Sequence, residues 1–103
     1  MKAAFYVGNA NMRSGPQPAI EPGSGQAQIK VAYCGICGTD LHIFHGKMDQ
    51  RVHPPQVIGH EMCGTTSALG PGVEGFRVGD AVTVMPLDPC NHCPACRAGH
   101  NHI

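Results

Sequence analysis

Apolar and polar positions alternate with a period of two in several short stretches, the pattern of half-buried strands. The clearest is Gln28 to Cys34, which sets Ile29, Val31 and Tyr33 on one face. Lys2 to Val7 reads as an earlier strand, Met62 to Leu69 as a later one containing Thr65 and Thr66, and Ala81 to Val84 as a last. Asn9 to Gly25 is rich in Gly, Pro, Ser and Asn and reads as a loop. Thr39 to His45 suits one or two helical turns, with Thr39 as N-cap, Asp40 in the first turn and Gly46 as the stop. Lys47 to Pro55 is a loop closed by Pro54-Pro55. Gly70-Pro71-Gly72 and Gly79-Asp80 are turns, and from Pro86 onward the chain is irregular and cysteine-rich. Short strands at this spacing with little helix predict a mainly β domain, a barrel or a sandwich.

Length and composition narrow this picture. A chain of 103 residues makes one domain at most, of radius of gyration roughly 13 Å if compact. Formal net charge is zero, so there is no electrostatic case for nucleic acid or an anionic membrane surface as partner. Only 14% of residues are charged, and part of the surface is therefore expected to face another domain or subunit. No apolar run approaches the ~20 residues of a membrane span. Met1 to Val7 lacks the long apolar stretch of a signal peptide. Six Cys and seven His without a secretion signal favour metal binding over disulfides, and the cytoplasm is the expected compartment.

Three constellations carry candidate chemistry. In Cys34-Gly35-Ile36-Cys37-Gly38-Thr39-Asp40-Leu41-His42, a thiol, a hydroxyl, a carboxylate and an imidazole lie within a few residues. Cys37 can supply a thiolate to a metal. Thr39 can hydrogen-bond an oxygen at that metal and pass its proton on, and His42 can carry the proton to solvent near neutral pH. The competing reading is a redox C-x2-C or a pair of small buried hydrophobes. The second constellation, Gly59-His60-Glu61, offers two further zinc-ligand types. It is not a metalloprotease H-E-x-x-H, because Gly64 stands where the second His belongs. The third is Cys90, Cys93 and Cys96, spaced C-x2-C-x2-C. Structural zinc sites almost always take four protein ligands, so a fourth is expected beyond Ile103.

Taken together, these residues resemble the N-terminal, GroES-like catalytic domain of the zinc-dependent medium-chain alcohol dehydrogenases. The family's signature G-H-E-x-x-G, with a Gly and then an aliphatic residue following, is matched by Gly59-His60-Glu61-Met62-Cys63-Gly64, Gly70 and Val73. Cys34 to His42 resembles its first catalytic-zinc segment, and Val78-Gly79-Asp80 its turn before a core strand. Cys90, Cys93 and Cys96 resemble three ligands of its structural-zinc lobe, here residues 86–103.

The resemblance implies a fold, roles and cofactors. The fold is a GroES-like, partly open β-barrel with short helical turns and a cysteine-rich zinc lobe, spanning residues 1–103. It is incomplete at its lobe and has no nucleotide-binding domain. Cys37, His60 and Glu61 match the catalytic zinc site, with Glu61 either ligating or lying just behind the metal. Thr39 matches the hydroxyl that takes the alcohol proton, His42 the relay, and Asp40 a carboxylate that orients the ligands. Zn²⁺ and NAD(P) are the implied cofactors, and a small alcohol or carbonyl compound the implied substrate. A homo-oligomer is the implied full-length state. The 103 residues alone are expected to be inactive.

Several features read otherwise. Gly70-Pro71-Gly72-Val73-Glu74-Gly75 spells G-x-G-x-x-G but no acidic residue follows about 20 positions on, so it is a strand-to-strand turn. Cys34 and Cys63 read as structural cysteines. His45, His53 and His92 read as surface residues, His45 with a further chance of lining a cleft. His100 or His102 is an alternative fourth ligand for the Cys90 group. Competing functions are a non-catalytic GroES-like binding module, a zinc-ribbon nucleic-acid module and a thiol redox protein. The last two lack, respectively, a basic patch and a βαβ context.

Overall fold

The computed structural model describes residues 1–103. Six strands and two short helices run in the order β1 (Lys2–Gly8), β2 (Asn11–Pro16), β3 (Ala27–Gly35), α1 (Gly38–Phe44), β4 (Gln56–Val57), β5 (Glu61–Leu69), β6 (Ala81–Thr83) and α2 (Pro94–Arg97). The molecule is mostly β, as the alternation predicts. Its strands form two three-stranded antiparallel sheets, ordered β2-β1-β4 and β3-β5-β6, which do not close into a barrel. No helix is long and apolar enough to cross a membrane.

The first difference from expectation is β2, which lies inside the segment read as a loop. Asn9 and Ala10 both take positive φ (53° and 55°) between the paired residues Gly8 and Asn11, a two-residue turn of the type that tight hairpins favour. β2 is polar and exposed on an open edge, so it carries no alternation to read; its pairing with β1 makes it a strand. Across that pairing, the Arg13 guanidinium lies 5.3 Å from the Phe5 ring centroid.

The second difference is the start of α1. Its N-cap is Cys37, in an extended conformation, and not Thr39. Asp40, three residues on, accepts a 3.0 Å hydrogen bond from the Cys37 backbone N–H through Oδ2. That bond satisfies a donor that would otherwise be orphaned at the helix start and draws the boundary two residues upstream. The third difference is α2, within the stretch read as irregular. Cys93 caps it and Pro94 sits at its first position, a common helix opening.

The core is small. Tyr6 is the one large side chain that is fully buried, and Ile43 of α1 joins it. The Tyr6 hydroxyl donates to Asp49 Oδ1 at 2.9 Å and so ties β1 to the loop after α1. The accessible surface is 7777 Å², about 40% more than the roughly 5,500 Å² of a compact monomer of this mass. The radius of gyration, 15.7 Å, is correspondingly large. Tyr33 is 78% exposed and Val31 39%, while Ile29 is half-buried, so much of the alternating set on β3 lies open to solvent.

Candidate metal centres

The first centre follows from one strand register. β3 and β5 pair antiparallel with Gly35 opposite Glu61 at the end of the ladder. The residues just past β3 and just before β5 therefore meet. Cys37 Sγ and His60 Nε2 stand 3.0 Å apart, although 23 residues separate them in the chain. Ligand atoms of Cys37, His60 and Glu61 all lie within 4.8 Å of one another.

Two glycines make this approach possible. β5 is the central strand of its sheet, and a Cβ on Gly64 would run into the Lys30 carbonyl of β3. Gly59, just before His60, has φ +115°, which L side chains rarely adopt, and a Cβ there would meet Cys34 Sγ at 2.7 Å. Cys34 is exposed, contrary to the expectation of a buried small hydrophobe, because it lies near the open end of β3, where its sulfur packs beside Gly59. Cys63, one strand over, is half-buried.

Asp40 supports the centre from behind. It is 6% exposed; Oδ2 holds the Cys37 N–H, and Oδ1 lies 3.6 Å from His60 Nδ1. Oδ1 is buried and makes no hydrogen bond. The same carboxylate thus touches the backbone of one candidate ligand and faces the ring of the other. Thr39 and His42 lie on α1, exposed and three residues apart, and so on neighbouring positions of one helix face. Neither makes a side-chain hydrogen bond to Cys37 or His60.

The second centre is built on α2. Ligand atoms of Cys90, Cys93 and Cys96 lie within 4.8 Å of one another, with Cys90 Sγ and Cys96 Sγ 3.8 Å apart. The Cys93 and Cys96 backbone N–H groups donate to Cys90 Sγ and Cys93 Sγ, each at 3.4 Å. The Cys90 thiol is lowered to about 7, chiefly by the backbone N–H of His92 and then by that of Cys93. Backbone donors aimed at sulfur favour the thiolate, the form that ligates metal. His100 and His102 stack edge-to-face on each other and are not grouped with the three sulfurs. His45, His53 and His92 are exposed, as surface residues should be.

The donor sets fit zinc in two different ways. Sulfur, imidazole nitrogen and carboxylate oxygen together suit a zinc site that keeps a position open, whereas three thiols suit three of the four ligands of a closed structural site.

Residues 23–103 match the family model described as the alcohol dehydrogenase GroES-like domain. The chain is 53% identical over all 103 of its residues to 2-dehydro-3-deoxy-L-galactonate 5-dehydrogenase of Pseudoalteromonas atlantica, covering 30% of that protein. It is 47% identical over 85 residues, 81% of its length, to L-threonine 3-dehydrogenase of Pyrococcus horikoshii, covering 24% of it. Among solved structures, an alcohol dehydrogenase (rspB) from E. coli CFT073, complexed with NADH, superposes with a TM-score of 0.87 at 37% identity, across 98% of this chain and 29% of that one. The chain therefore spans less than a third of the length of these relatives. The family is one of zinc-binding dehydrogenases, and its solved members include complexes with NAD(P) cofactors. On the match to the family model, this chain belongs to the alcohol dehydrogenase GroES-like domain family.

Proposed function

We propose that this chain is the N-terminal catalytic-domain portion of a zinc- and NAD(P)-dependent dehydrogenase that oxidises a small alcohol or polyol to a carbonyl compound. The observation that carries the proposal is the meeting of Cys37, His60 and Glu61 at the end of the β3–β5 ladder, with Asp40 behind them. The named dehydrogenase relatives support the same class. A non-catalytic binding module would have no use for this donor set beside Thr39 and His42.

Cys37, His60 and Glu61 would hold the catalytic zinc, and Cys90, Cys93 and Cys96 the structural one. When bound, zinc supplies Lewis acidity that eases loss of an alcohol proton and polarises a carbonyl. The residues around it do the rest. Asp40 Oδ1 faces His60 Nδ1 at 3.6 Å, so its charge favours the tautomer that keeps the proton on Nδ1 and leaves Nε2 free to ligate. Thr39 takes the hydroxyl proton at Oγ1, and His42, one helical turn on, passes it to solvent. A nicotinamide cofactor, when bound, would supply the hydride acceptor; Cys37, His60 and Glu61 would not hold it, and these 103 residues alone are proposed to be inactive. The protein works in the cytoplasm as a homo-oligomer, without nucleic-acid or membrane partners.

Cys37→Ala in the whole protein tests the proposal. Turnover of alcohol should fall by about 100- to 1,000-fold, as loss of a transition-state charge stabiliser does. Circular dichroism should be unchanged. Wild-type turnover in the folded variant would contradict the assignment.

A further inference from the structure

Asp40 Oδ1 is the one buried side-chain polar atom in the molecule without a hydrogen bond. A buried carboxylate oxygen left unpaired is costly, and most such atoms find a donor. His60 Nδ1, at 3.6 Å, is beyond good hydrogen-bond length. A cavity of about 380 Å³ opens beside the pair, between α1, the loop before β4 and Gly59-His60. Asp40, Ile43, Arg51 and His60 all line it. Arg51 makes no salt bridge or side-chain hydrogen bond, and of the cavity's lining residues it alone carries a permanent positive charge. Its loop folds on itself and starts from α1: Arg51 N and Val52 N both donate to the Met48 carbonyl at 2.9 Å, and Lys47 N donates to the His42 carbonyl of α1 at 3.0 Å. The Arg51 backbone is thus held at the rim of a cavity lined by a carboxylate with an unpaired oxygen, and its guanidinium has no partner of its own.

We propose that Arg51 is a positioning residue whose guanidinium swings into this cavity and pairs with Asp40 Oδ1. The pairing turns the Asp40 carboxylate into a bridge from Arg51 to the Cys37 backbone, with His60 Nδ1 alongside, and so fixes the orientation of both candidate ligands. A guanidinium suits this task, since its several donors can serve one oxygen and still face solvent. The role in ligand orientation rests on the metal-centre reading above; the ion pair itself does not.

Two measurements separate these levels. In ¹⁵N NMR of the whole protein, the Arg51 side-chain Nε–H should exchange at least about tenfold more slowly than that of a free arginine, as a charge-assisted hydrogen bond requires. Asp40→Asn should remove the protection. Unprotected Nε–H, as expected if a water fills the site, or protection indifferent to Asp40→Asn, overturns the pairing. Co²⁺ affinity is then compared for Arg51→Met alone and on the Asp40→Asn background. Arg51→Met should change affinity about tenfold in the wild type, within the range for outer-shell partners, and less than about twofold once Asp40→Asn has replaced the carboxylate by an amide. Equal effects on both backgrounds overturn the positioning role. Protection at Arg51 in a protein that binds no Co²⁺ at Cys37 would retain the ion pair and contradict the metal reading instead.

Discussion

The chemistry of single residues here depends on what the backbone lets them touch. Cys37 is both the cap of α1 and a candidate ligand, and Asp40 reaches it through its N–H while facing His60. Cys37 and Asp40 stood out as candidates in the sequence because a thiol, a hydroxyl, a carboxylate and the His42 imidazole fall within a few residues; His60 came from a separate motif. The pairing of Asp40 with both ligands was legible only as a family resemblance, since it depends on a contact between segments well apart in the chain. Tyr6 was not legible as the centre of the core. Its burial, together with the hydrogen bond and charge of Asp49, holds the phenol above its ordinary value of 10.0. The unfolded chain would lose that proton near 10 and the folded chain only at higher pH. The contribution of Tyr6 to stability is therefore complete below pH about 10 and is lost as pH rises through the folded value. In a Tyr33→Phe background, absorbance at about 295 nm should show Tyr6 ionising above pH about 10, together with a falling denaturation midpoint. Ionisation at or below about 10 would show that Tyr6 is not held buried against Asp49 in solution.

At the scale of elements, the β3–β5 register is the decisive feature. The period-two pattern located both strands to within a residue or two, and the turn glycines marked their ends. The pattern could not supply the register shifts at Gln28/Ile29 and between Val31 and Tyr33, or the partner of each residue, because pairing is a property of two segments. β2 escaped detection for a related reason: an edge strand with polar residues on both faces has no hydrophobic period to detect. Gly64 is the point at which register and sequence meet. Gly64→Ala would force a methyl into the Lys30 carbonyl and part the two strands whose ends bring Cys37 and His60 together. A destabilisation of about 1–3 kcal/mol is expected in urea denaturation, the range for overpacking. Co²⁺ affinity at the first centre should weaken with it. An Ala variant of wild-type stability would mean that β3 and β5 do not approach as described.

At the scale of the whole molecule, the notable property is how little is covered. A surface about 40% above that of a compact monomer, with the apolar side chains of Tyr33, Ile36 and Met85 largely exposed, accords with the low charge content of the sequence. Both features suit a surface that packs against other protein, and both centres lie on that thin framework. The two candidate sites also divide by task. One sits where two strands end and offers mixed donors beside a cavity; the other wraps a single turn of helix with sulfur alone. The sequence announced the second by spacing, because all three cysteines are local. It announced the first only through the combined motif, because its parts are brought together by the fold.

If Cys37, His60 and Glu61 hold one zinc ion and Cys90, Cys93 and Cys96 another, each cluster should lose its own metal independently. Zinc is to be counted per chain by native mass spectrometry of the whole protein, in the wild type, Cys37→Ala and Cys93→Ala. Two zinc ions are expected in the wild type and one in each variant. Cys93→Ala, but not Cys37→Ala, should also lower the melting temperature, since structural zinc contributes folding free energy. Two zinc ions retained in Cys37→Ala, or none in the wild type, would contradict this assignment.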